Sequence, residues 1–487
     1  MTVGMPVPTL STHVAGRWEA AESGETFEAT SPSTGERIAT VPLGGRADAR
    51  RAIDAAGSAA PGWAAASAFE RAAVLGRIAA AIADRRDELA RTLTLDQGKP
   101  LHAEAYDEVD ELIRYFTMAE ADATRLEGLI LPSVDPNKRV FVQRVPRGVV
   151  GVITPWNWPY TMPAELLAPA LAAGNTVVWN PASNTSLCAV RLAECIVAAD
   201  LPPGVFNLVT GPGSEVGDEI AANPGTAAIG FVGSTEAGRR VAERAAGKDL
   251  LLEMGGNGPL VVLDDADVDA AVAATLTACF LNAGQSCTAG EHVLVHEDVH
   301  DAYVERLAAA VAREVRLGDP FDEATTMGPL NNEPTVAKTE RHVADALASG
   351  ATLVAGGRRA SGAGSPLFYE PTVLDEVGED AEIARDETFG PVVPITRIRS
   401  DHDAIRIVNG STYGLLTAVF TKDLGRGMRF AESVRSGWVN INEGTNYWES
   451  HLPFGGRAGS MSGVGRVGGR FSMERLTELK TIVVNLA

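Results

Sequence analysis

Cysteine is scarce in this chain: four among 487 residues, Cys188, Cys195, Cys279 and Cys287, with no CxxC spacing. Usage this sparse excludes a disulfide framework and fits free thiols in a reducing cytosol. No metal ion is expected. Positive charge is also in short supply, 42 Lys and Arg against 63 Asp and Glu, for a net charge of -21. That balance argues against nucleic acid and against an anionic membrane surface as partners. There is no uncharged run of about 18 apolar residues, the length that spans a bilayer. Met1 to Leu10 lacks the basic and apolar regions of a secretory leader. A cytoplasmic protein is expected.

What the chain has is enough apolar residue, 45%, to bury large cores, and a length suited to two or three domains. Thr12 to Thr40 is rich in turn residues and short extended pieces, as in an arm laid over a domain surface. Apolar residues at Leu75, Ile78, Ile82, Leu89 and Leu93 predict one helix over 69–95, and Val109, Leu112, Phe116 and Ala119 mark a second. Polarity alternates from Lys138 to Pro146, which predicts a half-exposed strand in a protruding hairpin.

From Val149 the texture changes. Short apolar runs at 149–154, 176–179, 206–209, 227–232 and 250–253 alternate with helical stretches, the rhythm of a parallel sheet covered on both faces. A second series has strands at 260–263, 292–295, 392–398, 418–421 and 438–441, with helices at 267–281, 299–313, 334–348 and 401–408. The β-like tail from Thr477 to Leu486 has no partner nearby in sequence. Like the Lys138 hairpin, it is a candidate for pairing with another subunit.

Cys287 lies between Gly284 and Gly290, after a predicted helix and before a predicted strand, where a loop holds a thiol in reach of a substrate. It reads as a nucleophile or as one more buried structural cysteine. Gly463 to Gly468 matches GxGxxG by letter but follows a loop rather than a strand, so it is set aside. Gly211 to Gly217 and Phe231 to Gly238 each run from a strand end into a helix N-terminus, where free N–H groups attract phosphate. Two such turns in one parallel sheet favour a dinucleotide. Glu253 closes the last strand of the first series, where a carboxylate is a reasonable general base. Asn157, in a proline-stiffened aromatic turn, is an amide donor suited to an oxyanion, and Glu387 is placed to hold a ribose.

Six segments, Thr154-Pro155-Trp156-Asn157, Phe231 to Thr235, Leu252 to Gly256, Gly284 to Cys287, Glu387 to Pro391 and Pro453 to Gly456, occur in an order and spacing that resemble the NAD(P)-dependent aldehyde dehydrogenase superfamily. The resemblance covers almost the whole chain. It implies an α/β fold with a Rossmann-type cofactor domain over 1–123 and 147–255, an α/β catalytic domain over 256–447, and a small β oligomerisation element from 124–146 and 470–487. It assigns Cys287 as nucleophile, Asn157 as oxyanion donor and Glu253 as the base that activates water, in the oxidation of an aldehyde to its acid. It places NAD or NADP against Thr154, Pro155, Trp156, Asn180, Ser183, Gly213, Gly217, Phe231, Gly233, Ser234, Gly255, Glu387 and Phe389. A homodimer or homotetramer is implied. The alternatives are acyl transfer to coenzyme A, which Glu253 disfavours, and a member that has lost catalysis.

Departures from the family pattern are as informative. Asn180 and Asn257 stand where lysines are usual, Ser183 where NAD-preferring members carry glutamate, and His292 where arginine is frequent. Extra residues Arg457 to Met461 are expected to reshape the loop near the substrate mouth. Glu165 stands where dehydrogenases of dicarboxylic half-aldehydes often carry arginine, which argues against succinic semialdehyde. Trp158, Tyr160, Met162, Phe280, Tyr447, Trp448 and His451 suggest an apolar or aryl aldehyde, with Arg457 or His451 left as partners for an anionic tail.

Overall fold

The five apolar runs of the first series become β1 (Val149–Thr154), β2 (Thr176–Pro181), β3 (Phe206–Leu208), β4 (Ala228–Val232) and β5 (Asp249–Glu253) in a computed structural model that describes residues 7–487. They pair in parallel in the order β5-β4-β1-β2-β3. Every position of β1 and β2 is buried, so both read as continuous apolar runs without alternation. Two short antiparallel strands, Thr12–Val14 and Arg17–Glu19, extend the β3 edge, and Gly463–Val464 pairs with β5 at the other. From β1 the chain builds outward first to β2 and β3, then returns to lay β4 and β5 on the other side. That reversal opens a crevice at the carboxyl ends of β1 and β4.

The second series forms β6 (Pro259–Val262), β7 (His292–His296), β8 (Thr372–Asp375), β9 (Val392–Ile398), β10 (Leu416–Phe420) and β11 (Trp438–Ile441), parallel in the order β8-β9-β7-β6-β10-β11. Thr352–Ala355 is antiparallel to β8 at the edge. β8 and its edge partner are four residues each, too short to carry a readable period.

The helices that matter for the site are α1 (Ala68–Asp84), α2 (Arg86–Gln97), α3 (Tyr106–Ala123), α4 (Thr161–Ala172), α5 (Thr235–Arg244), α6 (Val268–Phe280) and α7 (Glu333–Ala348). The single helix expected over 69–95 is therefore two. Arg85 leaves helical geometry at φ -108, ψ 17, and its guanidinium bonds Glu88 and Glu194. Leu75, Ile78, Ile82, Leu89 and Leu93 are all fully buried on both sides of the break, so the apolar stripe passes over it. α2 ends at Gly98, whose φ of 102 suits a left-handed C-cap.

The two β-like runs thought to lack partners within the chain pair with each other. Thr477–Asn485 is antiparallel to Lys138–Pro146 along nine residues, with Leu129–Leu131 on the far side. The partners lie 330 residues apart at the Arg144–Glu474 contact, so nothing local in the sequence announces them. Ile130, Leu479, Val483 and Leu486 remain exposed on this sheet. No helix among the described residues is long and apolar enough to cross a membrane. The reading of Met1 to Leu10 falls for residues 1–6 outside the described residues.

Candidate active site

α6 hands the chain to Cys287 through an unusual turn. Asn282 and Ala283 both have left-handed φ, 52 and 53, and Gly284 follows at 74. A Cβ on Gly284 would come within 2.1 Å of the Gly390 carbonyl, so only glycine fits there. Left-handed backbone costs a non-glycine residue roughly 1–3 kcal/mol and persists only where surroundings impose it. Here a buried polar net does so. Glu104 accepts the Asn282 N–H (3.0 Å), Gln97 Nε2 donates to Asn282 Oδ1 (2.9 Å), and Asn282 Nδ2 donates to the carbonyls of Asn157 (2.9 Å) and Gln285 (3.1 Å).

That net brings the three expected catalytic groups together. Cys287 is half-buried, and Glu253, buried at the end of β5, faces its thiol, with Oε1 making no hydrogen bond among the described residues. Burial first, then Glu253 and Glu387, pushes the Cys287 thiol well up; burial also pushes Glu253 well above the usual carboxylate range. Asn157 Nδ2 donates one N–H to the Gln285 carbonyl (3.0 Å), which aims the amide across the loop and leaves its second N–H for another acceptor.

These groups sit in a cleft of about 240 Å³. Its walls are the turn after β1 (Pro155, Trp156, Asn157), the turn from β4 into α5 (Val232, Gly233, Ser234), the end of β5 (Glu253, Met254, Gly255), and Glu387, Phe389 and Lys338 from the second half of the chain. Ser234 caps α5, accepting the Ala237 N–H (3.3 Å). A Cβ on Gly255 would lie 2.8 Å from Glu387 Oε1, so bare backbone is pressed against that carboxylate, which accepts the Gly256 N–H (3.1 Å). Phe389, at φ 61, meets Trp156 edge-on at 5.6 Å. A glycine-lined helix N-terminus at a sheet switch point, with an acid and two rings at the far end, fits a nicotinamide dinucleotide.

Other expected cofactor residues lie behind the walls. Thr154 Oγ1 accepts the Trp179 indole N–H (2.8 Å). Asn180 Nδ2 donates to the carbonyls of Val209 (3.0 Å) and Gly211 (3.2 Å), so its amide shapes the turn that carries Gly213 and Gly217. Ser183 reaches the Gly211 carbonyl at 3.4 Å, and Phe231 is buried in the core beneath α5. His292 opens β7, in line with the strand expected over 292–295; it contacts Thr396 Oγ1 (3.3 Å), and burial pushes it down to about 4. The segment Arg457 to Met461 does not line the cleft. Thr235 Oγ1 donates to the Met461 carbonyl (3.1 Å), Met461 N to Thr412 (2.9 Å) and Met254 N to Ser462 (3.3 Å), so the loop braces α5 and β5.

Sequence reasoning missed Lys338 and Thr335, which face the cleft from one side of α7, and Glu291. The i, i+3 spacing of Thr335 and Lys338 was the available signal. Glu291 accepts the N–H groups of both Thr388 and Phe389 at 2.6 Å, which fixes the turn presenting Glu387 and Phe389.

The model of the aldehyde dehydrogenase family matches residues 18–482. This chain belongs to that family. The aldehyde dehydrogenase is 40% identical over 475 residues to the NADP+ succinate-semialdehyde dehydrogenase of Escherichia coli K12, covering 97% of each chain. It is 41% identical over 470 residues to glutarate-semialdehyde dehydrogenase of Pseudomonas aeruginosa, covering 96% of each. The crystal structure of succinate-semialdehyde dehydrogenase from Burkholderia pseudomallei superposes with a TM-score of 0.95 at 40% identity, covering 98% of each chain.

Two outcomes follow for this aldehyde dehydrogenase from the geometry alone. Glu291→Gln leaves one of two buried N–H groups facing an amide NH2 in place of an acceptor, a loss of about 1–3 kcal/mol at the turn. Dinucleotide titration should show affinity weakened by about tenfold, and unchanged affinity would remove Glu291 from that role. Stability should fall as pH rises from 6.5 to 8.5. Burial raises Asp96, Glu104 and Glu111 to about 7 and Glu165 to about 8, so these groups stabilise the fold while protonated, and that stability is lost as pH climbs through their folded values. His292 and His342, lowered to about 4, act oppositely, but their contribution is complete by the ordinary histidine value near 6.5. Thermal melts across this window measure the sign.

Proposed function

We propose that this enzyme oxidises an aldehyde to its carboxylic acid with NAD or NADP, using Cys287 as nucleophile, Asn157 as oxyanion donor and Glu253 as base. The observation that carries the reading is the convergence of those three side chains at the inner end of one cleft. Glu253 takes the thiol proton and releases it to solvent, which returns the carboxylate to its basic form. The Cys287 sulfur adds to the carbonyl carbon, and the resulting oxyanion is held by the free Asn157 N–H and the Cys287 backbone N–H. The bound dinucleotide supplies the hydride acceptor at this stage, which leaves a thioester on Cys287. Glu253 then takes a proton from water as that water attacks the thioester, and the acid leaves with the thiol restored.

Glu387 and Phe389 would position the nicotinamide end, and Gly233 and Ser234 at the start of α5 the pyrophosphate. No basic or acidic side chain in the lining favours one dinucleotide through its 2′ position, so both are expected to be used. Residues 1–123 and 147–255 form the cofactor domain in this reading and 256–447 the catalytic domain. The sheet of 124–146 and 470–487, with its exposed apolar residues, is assigned to subunit contact in a homodimer or homotetramer in the cytoplasm. Acyl transfer to coenzyme A is disfavoured by the base beside the thiol.

The test is a panel of aldehydes with each dinucleotide, following reduced-nicotinamide absorbance. Turnover without coenzyme A is expected. No absorbance with any aldehyde, in protein whose Cys287 still titrates with a thiol reagent, would end this reading.

A further inference from the structure

A second, narrow cavity of about 30 Å³ shares Cys287 and Met162 with the cleft and continues between Trp158, Trp448, Phe454 and Glu165. In the proposed reaction it is where the aldehyde's tail lies. Its walls are aromatic: Trp158, Trp448 and Phe454 line it, the Trp448 and Phe454 rings 6.2 Å apart, with Tyr115 behind Trp448 at 6.3 Å. The one carboxyl group in the lining is Glu165, on α4, and its side chain is buried. Tyr115 donates its hydroxyl to Glu165 Oε1 (3.2 Å), while Oε2 accepts no hydrogen bond among the described residues.

No cation among the described residues lines this cavity. Lys99 lies behind it, 3.2 Å from the Trp158 ring, but it is paired with Glu108 and both side chains are fully buried. Arg457 packs over Gly414, and His451 is 58% exposed beside Glu449 at 3.4 Å. Neither is available to an anionic tail in this cavity. Glu111 and Glu253 are further carboxyl groups near enough to interact with Glu165.

Resting on the reading of Cys287 as nucleophile, we propose that Glu165 is the specificity-determining residue of the tail cavity and selects short aldehydes that end in a protonated amine over those that end in a carboxylate. An ammonium group favours the ionised form of Glu165, gains its Oε2 as a charge-assisted acceptor and meets the Trp448 ring in the lining as a cation–π partner. A carboxylate would lose its hydration beside other carboxyl groups, with at most one O–H from a protonated Glu165 in return. The relatives named for succinate and glutarate semialdehydes thus share this chain's fold but not, on this argument, its tail preference.

The experiment compares kcat/KM for three four-carbon aldehydes ending in an ammonium, a methyl or a carboxylate, in the wild type and in Glu165→Gln, which keeps the volume and an acceptor for Tyr115. The wild type should favour the ammonium over the carboxylate by about 100-fold, and the substitution should shrink that ratio at least tenfold. A wild type that favours the carboxylate, or a ratio the substitution leaves within threefold, overturns the proposal; a partial shrinkage between three- and tenfold counts against it too. If no aldehyde turns over, the underlying reading fails separately. The tail preference is then read from quenching of tryptophan fluorescence by 1-aminobutane against butanoate, where equal or weaker binding of the amine overturns it.

Discussion

Replacing Cys287 with serine is expected to lower turnover by on the order of 10⁴-fold while leaving dinucleotide affinity in place. The substitution changes one atom, and the loop around it is held by Asn282, Gln285 and Glu104 rather than by the sulfur. What changes is chemistry. A hydroxyl is far harder to deprotonate than a thiol, and Glu253, although raised by burial, is not basic enough to produce an alkoxide at neutral pH. Steady-state turnover and a dinucleotide titration on the same sample separate the two effects. Turnover within tenfold of the wild type would remove Cys287 from the mechanism.

Lys99→Met should destabilise the protein by about 3–5 kcal/mol, the cost of leaving one member of a buried ion pair alone. The Lys99 ammonium pairs with Glu108, and neither side chain has any exposure. The other Glu108 oxygen accepts the N–H groups of Tyr160 (3.0 Å) and Thr161 (3.4 Å), which start α4, so a stranded Glu108 would disturb the helix that carries Glu165. Lys99 also holds down Glu104, already raised to about 7 by burial, whose carboxylate secures the Asn282 turn. Activity should therefore fall along with stability. Denaturant midpoints for Lys99→Met, Glu108→Gln and the pair together form the cycle that checks this, with the double variant recovering part of the loss. A single-variant change below about 1 kcal/mol would show that water reaches the pair.

Much of this could be seen in the sequence, and the reasons it stopped where it did are physical. Runs of buried apolar residues marked all five parallel strands of the first sheet and five of the six in the second, because strands such as β1 and β2 have no exposed side to interrupt the pattern; only the four-residue β8 was missed. The motif residues Cys287, Glu253 and Asn157 do converge. Sequence reasoning failed where the deciding contact is remote. Asn180 sits in a family cofactor position, yet its amide is taken by two carbonyls some 30 residues away, at Val209 and Gly211. Glu291 gave no signal because its partners are backbone N–H groups 97 and 98 positions further on. The break at Arg85 left no trace because burial on the two helices it joins is continuous.

The pairing of Thr477–Asn485 with Lys138–Pro146 also sets an order of events during synthesis. The first half of the chain, including β1 to β5, leaves the ribosome well before the strand that completes the Lys138–Pro146 edge exists. Until residues 477–485 are made, that edge carries unsatisfied N–H and C=O groups beside exposed Ile130 and Phe141, the kind of surface on which nascent chains join one another. Asn175 Nδ2, which donates to the Leu476 carbonyl at 3.0 Å, likewise waits for the last dozen residues. The pairing thus joins two segments in time as well as in space: a product stalled before residue 477 keeps an open edge, and only synthesis of residues 477–485 closes it.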